Sequence, residues 1–230
     1  MDTIKRNGYQ IKAKKDKAEI MIYDDIGEGW VGGTSSKTFI EDLNKLPDVG
    51  TVNVRIHSEG GSVFEGHAIY NAIKRLDARV EVDIDGLAAS IASVIAMAGD
   101  EIRMADNGFM MIHDPWMVSA GTAAEFRDAA DTMDKIRDVL LKTYVARTGG
   151  DEEKISDMMA AETWMNADEA LEMGFIDSIT NGMKMAAKVN HPDRYKHVPE
   201  FLAKVEEPEK KKAYLDADTY IQQYLKKHNL

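Results

Sequence analysis

Two consecutive stretches of this chain each run from an alternating strand into a helix, and that order limits the folds open to it. Thr51–His57 alternates apolar and polar residues. It leads through Ser58-Glu59-Gly60-Gly61-Ser62 into Val63–Ile73, whose apolar positions recur at helical spacing. Arg79–Ile84 alternates in the same way and leads through Asp85-Gly86-Leu87-Ala88-Ala89-Ser90 into the small, apolar segment Ile91–Gly99. Strands joined by helices pair in parallel, so the expected class is α/β. Further elements fit this order. Residues 18–27 begin as a strand, 34–46 open with capping residues and continue as a helix, and short extended segments occupy 101–113.

Both junctions carry chemistry. Ser90 stands where a strand turns into a helix, with only Gly and Ala before it. A hydroxyl there is exposed beside main-chain N–H groups, a favourable setting for a developing anion. The same position also suits an ordinary capping serine. The Gly60-Gly61 turn frees backbone N–H groups and lets another chain approach closely. Further on, Phe109-Met110-Met111-Ile112-His113-Asp114-Pro115 sets a histidine at the end of an apolar run that Pro115 terminates. A histidine is the side chain best suited to accept a serine proton near neutral pH.

These segments together, in their order and spacing, resemble the ClpP family of self-compartmentalising serine peptidases. The resemblance rests on Ser58-Glu59-Gly60-Gly61 before a helix, Gly86-Leu87-Ala88-Ala89-Ser90, Met111-Ile112-His113-Asp114-Pro115, and Trp164–Ala170 leading to Gly174-Phe175-Ile176-Asp177. It spans about residues 19–180. It implies a ClpP/crotonase-like spiral of ββα units. Ser90 would be the nucleophile, His113 the general base, and the backbone N–H groups of Gly61 and Ile91 the oxyanion hole. Each such donor is worth about 10²- to 10³-fold in rate. Aligning the Trp164 segment puts Glu162 where the family has an aspartate, one methylene longer, with Asp157 and Asp114 as rivals. A substrate peptide would bind extended along a strand edge near residues 110–122.

The resemblance also implies an oligomer. The long helix 123–146, ended by Gly149-Gly150, matches a handle that projects between rings, so a homo-oligomeric ring, single or stacked, is expected. The box Ala161–Met165 and the long C-terminal extension look more like phage and prophage members of the family, of the prohead-protease kind. Capsid or scaffold protein is the substrate that likeness implies. A subunit working with an ATP-driven Clp unfoldase is the alternative. A crotonase-like acyl-CoA enzyme and an inert assembly protein are the more distant readings.

Composition sets outer bounds. A net charge of −11 argues against nucleic acid as a partner. The charge is uneven: +4 over residues 1–18 and +3 over 181–230, leaving −18 on the body. The absence of cysteine excludes disulfides and suits a reducing compartment. No segment reads as a signal peptide or membrane span, so the cytoplasm is expected, or the assembling capsid if the protein is viral. The scattered histidines show no metal-ligand spacing, and neither metal nor cofactor is expected. The domain reading is a flexible basic segment over 1–17, a peptidase domain over 18–180, and a partly helical extension over 181–230. Within that extension, residues 190–193 read as a linker and 213–230 as an amphipathic helix.

Overall fold

Alternation along the strands becomes a parallel sheet with one apolar face. A computed structural model describes residues 2–27, 33–181 and 189–203. Its elements are β1 (Asp2–Lys5), β2 (Tyr9–Lys14), β3 (Lys17–Ile22), α1 (Ser36–Leu43), β4 (Thr51–Ser58), α2 (Val63–Lys74), β5 (Arg79–Ala89), α3 (Ile91–Ala96) and β6 (Glu101–Ala105). After these come β7 (Phe109–Ile112), α4 (Ala123–Thr148), α5 (Glu152–Ala160), β8 (Thr163–Asn166), α6 (Ala167–Glu172), β9 (Ser178–Thr180) and α7 (Glu200–Ala203). The sheet runs β1-β2-β3-β4-β5-β6-β9 and is parallel from β3 onward. The 11-residue strand β5 serves two neighbours in turn. Its residues 81–84 pair with β6, and 87–89 pair with β7, which pairs antiparallel with β8 on its other side.

One face of this sheet is the core. Val52, Val54 and Ile56 of β4 and Val80, Val82 and Ile84 of β5 are buried against Ile69, Ile73, Val94 and Ile95 of the helices. Burial of each such side chain contributes roughly 1.5–3 kcal/mol. The alternate residues are polar and pair across the strands. Arg103 binds Asp83 at 2.7 Å, Arg55 binds Asp85 at 2.6 Å, and Asn53 binds Asp83 at 2.6 Å. Cross-strand pairs of this kind contribute roughly 0.2–1 kcal/mol each.

The first residues correct the expectation of a flexible basic arm over 1–17. β1 and β2 form an antiparallel hairpin that continues on β3. The lysines gave this segment its polar average, but Tyr9, Ile11 and Ala13 alternate with them and are buried. Arg6 and the Tyr9 hydroxyl both bind the buried carboxylate of Asp42 on α1, at 2.8 and 2.9 Å. These contacts fasten the hairpin to the body and hold that carboxyl well below the usual range.

Helix α4 extends two residues beyond the expected 123–146. A Thr122–Glu125 capping box starts it, and Gly149, in the left-handed region, ends it. Only its second half enters the core, through Leu140, Leu141 and Tyr144. Phe126 and Val139 are half exposed. No described helix is long and apolar enough to cross a membrane. The expected helix over 213–230 lies outside the described residues.

Candidate active site

Ser90 is where β5 meets α3, and its backbone has φ 54° and ψ −130°. A non-glycine residue there is strained by about 1–3 kcal/mol, tolerated only where the surroundings fix it. The fixation is visible. The Ser90 N–H donates to the Met111 carbonyl of β7 at 2.9 Å. Ser93 Oγ donates to the Ser90 carbonyl at 2.6 Å and lies 2.8 Å from the Tyr144 hydroxyl. Ser93 has only one hydroxyl proton, so Tyr144 donates in that second contact. The core helix α4 thus supports the strained turn from behind.

His113 follows β7 directly, beside the same turn, because β7 pairs with the end of β5. Its Nε2 is 2.8 Å from Ser90 Oγ. Burial pushes its pKa below the ordinary 6.5 and Lys196 pushes the same way, while Glu162 and Asp114 oppose them. A largely neutral imidazole against a serine hydroxyl can accept that proton.

The Gly60-Gly61 turn lies alongside. Gly60 has φ +92°, and a Cβ there would come within 2.7 Å of Ser90 Cβ and 3.2 Å of Ile91 N. Only glycine allows the turn this close to the serine. At Gly61 a Cβ would strike the Ile26 carbonyl, 2.2 Å away. Glycine at this position therefore makes room for the neighbouring 24–27 segment. Gly61 also lines the cleft, of about 440 Å³, together with Ser90, His113, Trp116, Arg194 and Tyr195. His57 and His67 are not among its lining residues.

The rival carboxylates are distinguished by their partners. Asp114 binds Arg137 at 2.6 Å. Asp157 belongs to a separate surface depression beside α5. Glu162 is buried, with φ 53°. It accepts the N–H of His197 at 2.7 Å and of Lys196 at 2.9 Å, with Trp164 Nε1 at a long 3.5 Å. Among the described residues Glu162 makes no hydrogen bond to His113. It acts on the imidazole through charge, as the first of the groups raising the His113 pKa.

Two expectations need correction. Residues 110–112 are not a free edge for a peptide, since β7 is paired on both sides. Past His113 the chain leaves the sheet, and Trp116, Met117 and Val118 are exposed. Residues 190–193 are not a linker either. Val189 and Leu202 are buried against Leu87, Ala89 and Met111, and Tyr195 packs edge-on against both His113 and Trp164. The buried Val189 and Leu202 were legible only as isolated apolar residues in a polar segment.

The Clp protease family model matches residues 11–183. The ATP-dependent Clp protease proteolytic subunit 1 of Protochlamydia amoebophila is 35% identical over 174 residues, 74% of this chain and 83% of that one. The ATP-dependent Clp protease proteolytic subunit 2 of Treponema denticola is 33% identical, over 62% of this chain and 72% of that one. The ATP-dependent Clp protease proteolytic subunit of Ligilactobacillus salivarius is 34% identical, over 56% and 66% respectively. With a matched span that takes in the serine turn, the histidine strand and the acidic loop alike, this chain belongs to the Clp protease family.

Proposed function

We propose that this protein is a serine endopeptidase in which Ser90 is the nucleophile and His113 the base. The observation that carries the reading is the 2.8 Å contact between Ser90 Oγ and His113 Nε2 in an open cleft. His113 takes the Ser90 proton as Oγ bonds to the scissile carbonyl carbon. The negative oxygen of the tetrahedral intermediate is met by the backbone N–H groups of Gly61 and Ile91. His113 then gives its proton to the departing amine, leaving an acyl group on Ser90. A water molecule loses a proton to His113, attacks the acyl carbon and releases the carboxylate product, and Ser90 recovers its proton. Glu162 stabilises the imidazolium through its charge. The substrate is a polypeptide, lying extended along residues 113–122, and the working form is a homo-oligomeric ring joined through α4.

For the substrate in the cell, the reading is processing of capsid or scaffold protein. Support comes from the variant box at 161–165 and from the chain beyond residue 183, which the family match does not reach. The names of the relatives favour a second setting, a subunit paired with a Clp ATPase. The reaction is tested by labelling with a fluorophosphonate and by turnover of a fluorogenic peptide. Ser90→Ala abolishes both; retention of either by the repurified variant overturns the assignment. Co-expression with a capsid protein encoded nearby separates the settings. Ser90-dependent cleavage supports the first, and degradation only with an added unfoldase supports the second.

A further inference from the structure

Two buried carboxylates stand near the Ser90–His113 pair: Glu59 lines the cleft and Glu162 acts on the imidazole through its charge. Glu59 immediately precedes the glycine turn, and Glu162 lies on the loop between α5 and β8. Each accepts two consecutive backbone N–H groups from the same segment. Asn190 and His191 donate to Glu59 at 2.5 and 3.1 Å, and Lys196 and His197 donate to Glu162 at 2.9 and 2.7 Å. Between the two pairs, the Tyr195 hydroxyl donates to the Glu59 carbonyl, and Arg194 binds Asp25 at 2.8 Å. The burial of Val189 and Leu202 pins both ends of the segment. N–H donors to an ionised carboxylate are roughly twice as strong as neutral pairs. A carboxylate buried without them would be costly. The segment borders the cleft without filling it, since Ser90 and His113 still line the open volume.

We propose that residues 189–203 form an intramolecular clasp, whose paired N–H groups hold Glu59 and Glu162 and so position the glycine turn and His113 for catalysis. The clasp rests on the peptidase reading above. Its members are positioning residues, and none contributes an atom to the reaction. Glu59 held at one end fixes the backbone leading into Gly60-Gly61. Glu162 held at the other keeps its charge beside the imidazole. The charged groups acting on His113 are Glu162 from the acidic loop, Asp114 from its own segment and Lys196 from the clasp. Loss of the His197 donor leaves Lys196 in place and lets the Glu162 carboxylate drift from the ring, so the His113 pKa falls.

The test uses the full chain with two variants. His197→Pro deletes one donor to Glu162. Glu59→Gln, nearly the same shape, weakens the opposite end. The His113 imidazole is titrated by NMR, a readout that does not depend on turnover, and kcat and KM are measured on a short peptide. With His197→Pro the His113 midpoint moves down by about 1 unit and kcat falls about 10- to 100-fold, with KM within about twofold. Glu59→Gln shifts both in the same direction by less. An unmoved midpoint with kcat within twofold of wild type in either variant overturns the clasp. A rise in kcat also overturns it, since the segment would then restrain the enzyme. Wild-type protein whose Ser90 neither reacts nor turns over peptide defeats the peptidase reading instead, and the titration still decides whether the segment holds Glu162.

Discussion

Arg137 of α4 holds the carboxylate of Asp114 at 2.6 Å, one residue beyond His113. The same guanidinium donates to the Ser156 carbonyl and hydroxyl on α5 at 3.0 and 2.8 Å. One side chain on the long helix thus fastens the segment that carries the histidine and pairs the acid beside it with a cation.

Arg137→Met releases that acid. Asp114 already raises the His113 pKa, and without its cation it does so more strongly. The acid limb of kcat/KM therefore moves to higher pH, and kcat at neutral pH falls about 10-fold. The ion pair is partly exposed, so stability changes by less than about 1 kcal/mol. A pH–rate profile alongside a urea melt checks both. An unshifted limb contradicts the coupling.

Under the proposed mechanism the base is neutral His113, so kcat/KM is expected to rise with pH through the His113 pKa of the free enzyme. Burial pushes that pKa below 6.5, and the limb is expected under this value. Glu162→Gln removes the leading charge that raises it, so the limb moves further down while kcat falls. Opposite displacements in Arg137→Met and Glu162→Gln are the signature to look for. A shift of the same sign in both refutes the charge argument.

Gly66 of α2 presses on Ile91, the residue after the serine. An added Cβ would lie 2.2 Å from Ile91 Cγ1, a buried atom with little room to retreat. Gly66→Ala should cost roughly 1–3 kcal/mol by overpacking. It should also slow fluorophosphonate labelling of Ser90. Differential scanning calorimetry and labelling kinetics together test this; a loss of stability with labelling unchanged would dissociate the two helices from the serine turn.

Asp42 links pH to stability. Its hydrogen bonds, Arg6 first, lower its folded pKa against the opposing effect of burial. The resulting stability is fully present above the unfolded carboxyl pKa near ~4 and is lost as pH falls through the folded value. Asp42→Asn is expected to be less stable than wild type at pH 7, and the gap should narrow as pH drops below ~4. Urea titrations at pH 7 and pH 3 measure it. An equal gap at both pH values would mean that the charge of Asp42 is not what matters.

Regular alternation made the central sheet legible, because Val52–Ile56 and Val80–Ile84 show the two-residue period without interruption. Ser90 and His113 were legible because each sits at the punctuated end of such a strand. The N-terminal hairpin was hidden by the six lysines and arginines of residues 1–20, which average out the contribution of Tyr9 and Ile11. The 189–203 segment was hidden for a different reason. Its main contacts to the site run through backbone N–H groups, and every non-proline residue has one. Side-chain identity therefore could not announce which carboxylate they would meet. Glu162 stood out by alignment, but nothing in its neighbourhood in sequence pointed to partners 34 and 35 residues later.

The unusual torsion at Ser90 has a thermodynamic side. Alanine in its place would delete the hydroxyl and keep the distorted main chain, whereas Ser90→Gly would also relax it. The glycine version should therefore melt at a higher temperature than the alanine version, although the proposed mechanism leaves neither with a nucleophile. The main chain at this position carries a conformational burden that a merely durable protein would not need.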